Sequence, residues 1–394
     1  MRTLLALALL LALLPALRAE PLERTFTGPW DVPALKAAKV NPEWGADKGP
    51  GKAREVYYAG EPFKGKPTRV FAYYAKPAGD GPFPAVVCVH GGGGKAFDKW
   101  AEHWAARGYC AIAMDLAGNG PGGRLPAGGP GQDDGTKFRD FTDPDLKDMW
   151  TYHAVAAALR GHTLLAGLKE VDKDKIAVTG ISWGGYLTCI IAGIDDRLKA
   201  AVPVYGCGFL HENSVWKPTL DGFTAERRDR WVNRFDPSKY LGGVKCPILF
   251  LNGTNDFAYP MDSYQKCYSL VKQDRTVSVR VRLPHGHIWT FGEVDAFIDS
   301  HLKKGEKLAA LSDITLKDDT ASATVTSSVK LKDAKLHYAI AEGPWQKREW
   351  KSIAADIKDG VVSASLPAAR PLVFELAVTD ERGLEVTTPH LVTK

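Results

Sequence analysis

Residues 180–188 read GISWGGYLT and follow directly on the apolar run KIAVTG. The run has the composition of a buried strand, and WGGYLTCIIAGI, which comes next, has the composition of a helix. Ser182 therefore falls at a strand-to-helix junction with glycines at 180, 184 and 185. A turn that sharp has no room for Cβ atoms at its flanks, so the glycines let one hydroxyl stand exposed above the sheet. It also stands at a helix N-terminus, whose partial positive charge favours an anion. A bare G-x-S-x-G match carries little weight in a chain with 39 glycines; the strand and helix around it make Ser182 a candidate nucleophile.

Outward from this junction, β-rich runs recur at residues 55–58, 68–76, 84–90, 109–115, 175–180, 199–205, 247–253 and 277–283. From the third run onward they alternate with helical patterns such as AFDKWAEHWAARG and MDSYQKCYSLVK. Alternation of this kind predicts an α/β fold, a mostly parallel eight-stranded sheet with helices on both faces. Continuous apolar runs such as AVVCV suit strands buried on both sides. Residues 206–237 break the pattern and read as an insertion over one end of the sheet, with Trp216 and Trp231 expected to pack it onto the body.

A serine hydroxyl is a poor nucleophile until a base takes its proton, so the partners are sought downstream. LNGTNDFAYP follows the seventh strand and offers Asp256 as the acid; Asp262 lies close by but is placed to cap the next helix. RLPHGHIW follows the eighth strand and offers two histidines. Spacing favours His287, one or two residues past the strand on a glycine-preceded loop, with His285 as a packing neighbour. Upstream, AVVCVH runs into HGGGG (90–94), where backbone N–H groups can approach a cleft unhindered. Gly92 N–H, with that of Trp183, is the expected oxyanion hole. No G-K-[ST] follows the glycines, which argues against a phosphate-binding loop.

With Ser182, Asp256, His287 and HGGGG in this order, residues 55–304 resemble the α/β-hydrolase superfamily. Within it, KIAVTGISWGGYLT, DDRLKAAVPVYG and LNGTNDFAYP are similar to acetylxylan-esterase and dienelactone-hydrolase-like proteins, which shade into prolyl-oligopeptidase-like enzymes. The resemblance implies an exported serine esterase that removes a small acyl group, acetyl foremost, from a carbohydrate through an acyl-enzyme, with no metal or organic cofactor. Dienelactone hydrolases use a cysteine where this chain has Ser182. A serine peptidase is the alternative, and a non-catalytic carbohydrate- or surface-binding protein is another.

Beyond residue 304 helical patterns stop, and β-formers alternate with turn sequences such as KDG and ERG; residues 305–394 are expected to form a small β-sandwich, which is similar to the immunoglobulin-like additions on some exported members of the superfamily. All candidate groups precede it, so truncation after Lys304 is expected to leave an active hydrolase domain, residues 20–304. The first residues, MRTLLALALLLALLPALRA, have a basic start, an apolar run and a small residue before Glu20, the pattern of a signal peptide (1–19). The run is too short to span a bilayer, so the mature chain is expected to be secreted or periplasmic without stable membrane insertion. Net charge is +5 with scattered Lys and Arg, which gives no nucleic-acid footprint. The partner implied is a small-molecule or polysaccharide ester. The six cysteines include no C-x-x-C pair; most read as buried hydrophobes, with Cys207, Cys246 and Cys267 open to disulfide pairing.

Overall fold

The computed structural model describes residues 26–393, and the segment read as a signal peptide lies outside the described residues. The central sheet has nine strands: β1 (Glu43–Trp44), β2 (Arg54–Ala59), β3 (Arg69–Ala75), β4 (Phe83–Val89), β5 (Cys110–Met114), β6 (Val171–Ile181), β7 (Ala200–Val204), β8 (Ile248–Gly253) and β9 (Arg275–Arg280). Their order across the sheet is β1-β2-β3-β5-β4-β6-β7-β8-β9. β1, β2, β3 and β5 pair antiparallel in succession, and from β5 to β9 every pairing is parallel. The ninth strand is the two-residue edge β1, too short to carry a period-2 signal in sequence.

The all-apolar runs occupy the middle of the sheet as expected. Every residue of β5, β7 and β8 is buried, because helices cover both faces. α1 (Asp98–Ala106) packs on β5, while α2 (Trp150–Gly167) and α3 (Trp183–Ile194) pack on β6. α2 is buried along nearly its whole length, which matches a sequence that is apolar all round and not striped. α4 (Met261–Ser269) follows β8, and α5 (Gly292–Leu302) packs beneath β6 and β7.

The segment 206–237 is not irregular throughout. It contains helices Lys217–Asp221 and Ala225–Phe235, the second capped by the Thr224 side chain, which accepts from Arg227 N at 3.3 Å. Asp236 is fully buried and ties both ends of the segment together, since its carboxylate accepts N–H bonds from Phe209, Leu210 and Ser238. Trp231 packs inside, with Nε1 donating to Lys137 O at 3.0 Å. The six cysteines are all buried and free.

The chain then forms two five-stranded antiparallel sheets, one centred on Thr320–Thr326 and Val361–Ser365, the other on Leu331–Ile340 and Leu372–Asp380. Alternate residues point inward, so Leu336, Val362 and Phe374 fill the space between the sheets. This sandwich is fastened to the edge of the nine-stranded sheet. Ser278 Oγ donates to Glu385 O at 2.7 Å, Val279 N donates to Thr387 Oγ1 at 3.1 Å, and Glu385 N donates to Glu293 Oε1 at 3.1 Å.

Candidate active site

β6 ends at Ile181, and Ser182 follows with φ 60° and ψ −121°, a backbone conformation that costs energy for any residue with a side chain. The surroundings hold it there. Ser182 N donates to Val204 O at 2.9 Å, and Tyr186 N donates back to Ser182 O at 2.9 Å. A Cβ at Gly184 would lie 2.0 Å from Val89 O, and one at Gly185 would lie 2.4 Å from Val204 O, so both glycines permit the close approach that the turn requires.

Asp256 sits in the loop after β8 and is 2% exposed. Its Oδ1 accepts from Ala258 N at 2.9 Å and Tyr259 N at 2.8 Å, and its Oδ2 lies 2.6 Å from a histidine Nδ1. That histidine is His285. Its Nε2 lies 2.9 Å from Ser182 Oγ, so one imidazole connects hydroxyl and carboxylate. Asp262 is instead the second residue of α4, and its carboxylate accepts from Asn213 Nδ2 and Ser263 N.

The expectation for His287 is therefore corrected: its Nε2 accepts a hydrogen bond from Gly91 N at 3.0 Å, and Phe97 and Trp100 flank its ring. Burial lowers its pKa, with the neighbouring His285 acting in the same direction, which suits a neutral ring that accepts at Nε2. The physical reason lies in where β9 stops. The strand ends at Arg280, three residues before the end read from the sequence, and the chain reverses at Arg282 with φ 55°. Arg282 N is held by Thr254 Oγ1 at 3.0 Å, and Tyr205 Oη donates to Pro284 O at 2.8 Å while its ring stacks on His285 at 4.5 Å. The turn thus uses up the residues that the spacing argument assigned to the strand, and it delivers His285 rather than His287 to the serine.

The glycine loop lies against Ser182: a Cβ at Gly91 would come within 2.9 Å of Ser182 Cβ, and one at Gly92 within 2.8 Å of Trp183 Cδ1. The N–H groups of Gly92 and Trp183 find no acceptor among the described residues. Two histidines grip the peptide groups beside them. His90 Nδ1 bonds Gly91 O at 2.8 Å while its Nε2 accepts from Leu116 N at 2.9 Å, which fixes the tautomer. Burial lowers the His90 pKa to about 4, so this ring is neutral near pH 7.

Trp216 packs on Trp183 at 4.6 Å and on Tyr259 at 5.3 Å, which brings the 206–237 segment to the rim of the site. The Tyr259 hydroxyl is buried and makes no hydrogen bond of good geometry among the described residues; burial raises its pKa well above the ordinary range, and a weaker interaction with the Ser182 hydroxyl opposes that shift. The sequence reading passed over Tyr205, Tyr259 and Phe257. A turn-forming Pro284 next to His285 was the one local signal that the chain leaves the strand early. Among the described residues no group of three or more His, Cys, Asp or Glu is placed to hold a metal ion, and no described helix is long and apolar enough to cross a membrane.

Comparison with known proteins agrees with this architecture. The chain is 22% identical over 262 residues to acetyl esterase Axe7A of Xylanibacter ruminicola, covering 60% of this chain and 56% of that one. It is 25% identical over 257 residues to the uncharacterized peptidase YuxL of Bacillus subtilis, covering 58% and 36% respectively. The chain thus spans about half the length, or less, of these curated relatives. The acetyl xylan esterase structure from Paenibacillus sp. R4 superposes with a TM-score of 0.58 at 22% identity, covering 69% of this chain and 92% of that one, and so shares the fold. Residues 14–220, just over half of the chain, match the family described as acetyl xylan esterase (AXE1). The match includes the glycine loop and Ser182 and stops before Asp256 and His285, which the fold returns to the same point; the chain belongs to the acetyl xylan esterase (AXE1) family.

Proposed function

We propose that this protein is an exported serine esterase that hydrolyses a small acyl ester, acetyl foremost, of a carbohydrate. The observation that carries the reading is the hydrogen-bonded chain Ser182 Oγ, His285, Asp256. Ser182 Oγ attacks the acyl carbon and its proton passes to His285 Nε2. Asp256, desolvated and bonded to Nδ1, keeps the ring in the right tautomer and offsets the imidazolium charge that forms. The N–H groups of Gly92 and Trp183 donate hydrogen bonds to the developing oxyanion, each worth about 3 to 4 kcal/mol in such sites. The alcohol leaves with the proton from His285, and water, deprotonated by the same ring, then hydrolyses the acyl-serine. Family membership and the likeness to acetyl esterase Axe7A favour acetyl as the acyl group. Export rests on the pattern of residues 1–19.

Release of acetate from acetylated xylan and turnover of 4-nitrophenyl acetate, set beside a proline-linked peptide substrate, test this reading. Ester turnover that vanishes in Ser182→Ala, with no peptide cleavage, is expected; a native rate in Ser182→Ala would remove the nucleophile assignment, and peptide cleavage alone would make the protein a peptidase.

A further inference from the structure

Beside the imidazole lies an open cleft of about 500 Å³ with two walls of different origin. One wall is hydrolase: Phe257 after the acid, then Arg282, Pro284 and His285. The other is residues 346–349 of the C-terminal sandwich. The second wall is fixed to the first, because Asn255, next in sequence to the triad acid, donates through Nδ2 to Gln346 O at 3.1 Å and Arg348 O at 2.9 Å. Behind it, Arg348 lies over the Trp345 ring at 3.6 Å, and Trp345 packs on His390 at 5.0 Å. With the Gln346 and Arg348 carbonyls taken up in this way, the loop's side chains face the cleft.

Two features say what the cleft takes. Phe257 is 56% exposed, the largest exposure among the big apolar side chains of the described residues, and stands edge-on to His285 at 4.8 Å. An exposed phenyl beside a catalytic imidazole offers a platform for the apolar face of a sugar ring. The charges are unequal. Arg282, Lys347 and Arg348 line the cleft, against Glu349 and Asp256, and both Asp256 oxygens are already occupied. Arg348 Nε and Nη1 are buried without partners among the described residues, and burial works against its charge with Asp262 as the offsetting carboxylate.

We propose that the sandwich loop and the hydrolase wall together form the subsite for the alcohol part of the ester, and that this part is an acidic saccharide, a sugar carrying a carboxylate. The proposal rests on the esterase reading above and adds the identity of its leaving group. The sugar ring lies on Phe257, its ester oxygen faces His285 Nε2, and its carboxylate meets Arg282 and Lys347 by charge-assisted hydrogen bonds.

The test uses the full chain and a matched pair of substrates: methyl 2-O-acetyl-β-D-glucopyranosiduronate and methyl 2-O-acetyl-β-D-glucopyranoside, which differ only in carboxylate against hydroxymethyl. The uronate is expected to have the higher kcat/KM by about tenfold at low salt, and the preference should shrink between about 0.05 and 0.5 M salt. Arg282→Glu combined with Lys347→Glu, both at exposed positions, should invert the preference. The salt dependence needs no variant, so it decides the matter even if the double variant misfolds. Equal kcat/KM for the two acetates, a preference untouched by salt, or a double variant that keeps the native preference would each overturn the subsite. Turnover of 4-nitrophenyl acetate with both sugar acetates inert would overturn it while leaving the esterase reading in place; inertness toward all three would remove the esterase reading itself.

Discussion

Exchanging the two histidines of RLPHGHIW, one at a time, separates base from scaffold. His285 bonds Ser182 Oγ at 2.9 Å and Asp256 Oδ2 at 2.6 Å, so His285→Ala removes the proton acceptor and leaves the carboxylate without its partner. Loss of a triad base lowers kcat by roughly 10⁴- to 10⁶-fold in comparable enzymes. His287→Ala removes a single acceptor from Gly91 N, at 3.0 Å. A backbone donor left unmade costs about 1 to 3 kcal/mol. If all of that falls on the positioning of the adjacent Gly92 N–H, kcat drops by roughly 5- to 150-fold. The two roles also differ in rescue. His287→Gln returns an acceptor oxygen to Gly91 and should recover part of the loss, whereas His285→Gln supplies no base and should be as inactive as His285→Ala. Steady-state hydrolysis of 4-nitrophenyl acetate, with thermal melting to check folding, measures all four variants. A dead, folded His287→Ala beside an active His285→Ala would refute the reasoning.

Truncation after Lys304 keeps Ser182, Asp256 and His285 but strips the partners of Asn255, Ser278, Val279 and Glu293. The shortened protein should keep activity but lose soluble yield and melt lower than the full chain; an unchanged Tm would show that the interface contributes nothing. Glu375 is fully buried with neither carboxylate oxygen partnered among the described residues, and burial first, then the nearby Glu385, raises its pKa well above the ordinary 4.5. The folded chain therefore keeps a proton that the unfolded chain releases, and this group weakens folding as pH rises above about 4.5. Glu375→Gln should match the native Tm near pH 4 and exceed it increasingly toward pH 7; a pH-independent difference would count against this account. His337 runs the other way: burial lowers its pKa to about 4, so the unfolded chain binds a proton between about pH 6.5 and 4 that the folded chain does not. Stability supplied by the neutral ring should be lost as pH falls through that window, by about 3 kcal/mol; a His337→Gln protein should show a shallower fall in urea midpoint than the native one, and identical slopes would refute it.

The sequence by itself determined the features that depend on neighbours along the chain. The strand KIAVTG, the glycine-flanked Ser182, the helix after it and HGGGG are each a local pattern with a local cause, either burial on both faces or the exclusion of Cβ atoms, and each stands where it was read. Asp256 was legible for the same reason, since its Oδ1 is spent on the N–H groups two and three residues further on. What only the tertiary structure decided depends on contacts between distant segments. Whether His285 or His287 reaches Ser182 turns on Tyr205 holding Pro284 O and Thr254 holding Arg282 N, neither of which periodicity can register. The joining of residues 346–349 to the loop that carries Asp256 is likewise invisible in composition. It is made by one asparagine side chain meeting two carbonyls more than ninety residues away, a contact that exists only once both domains have folded.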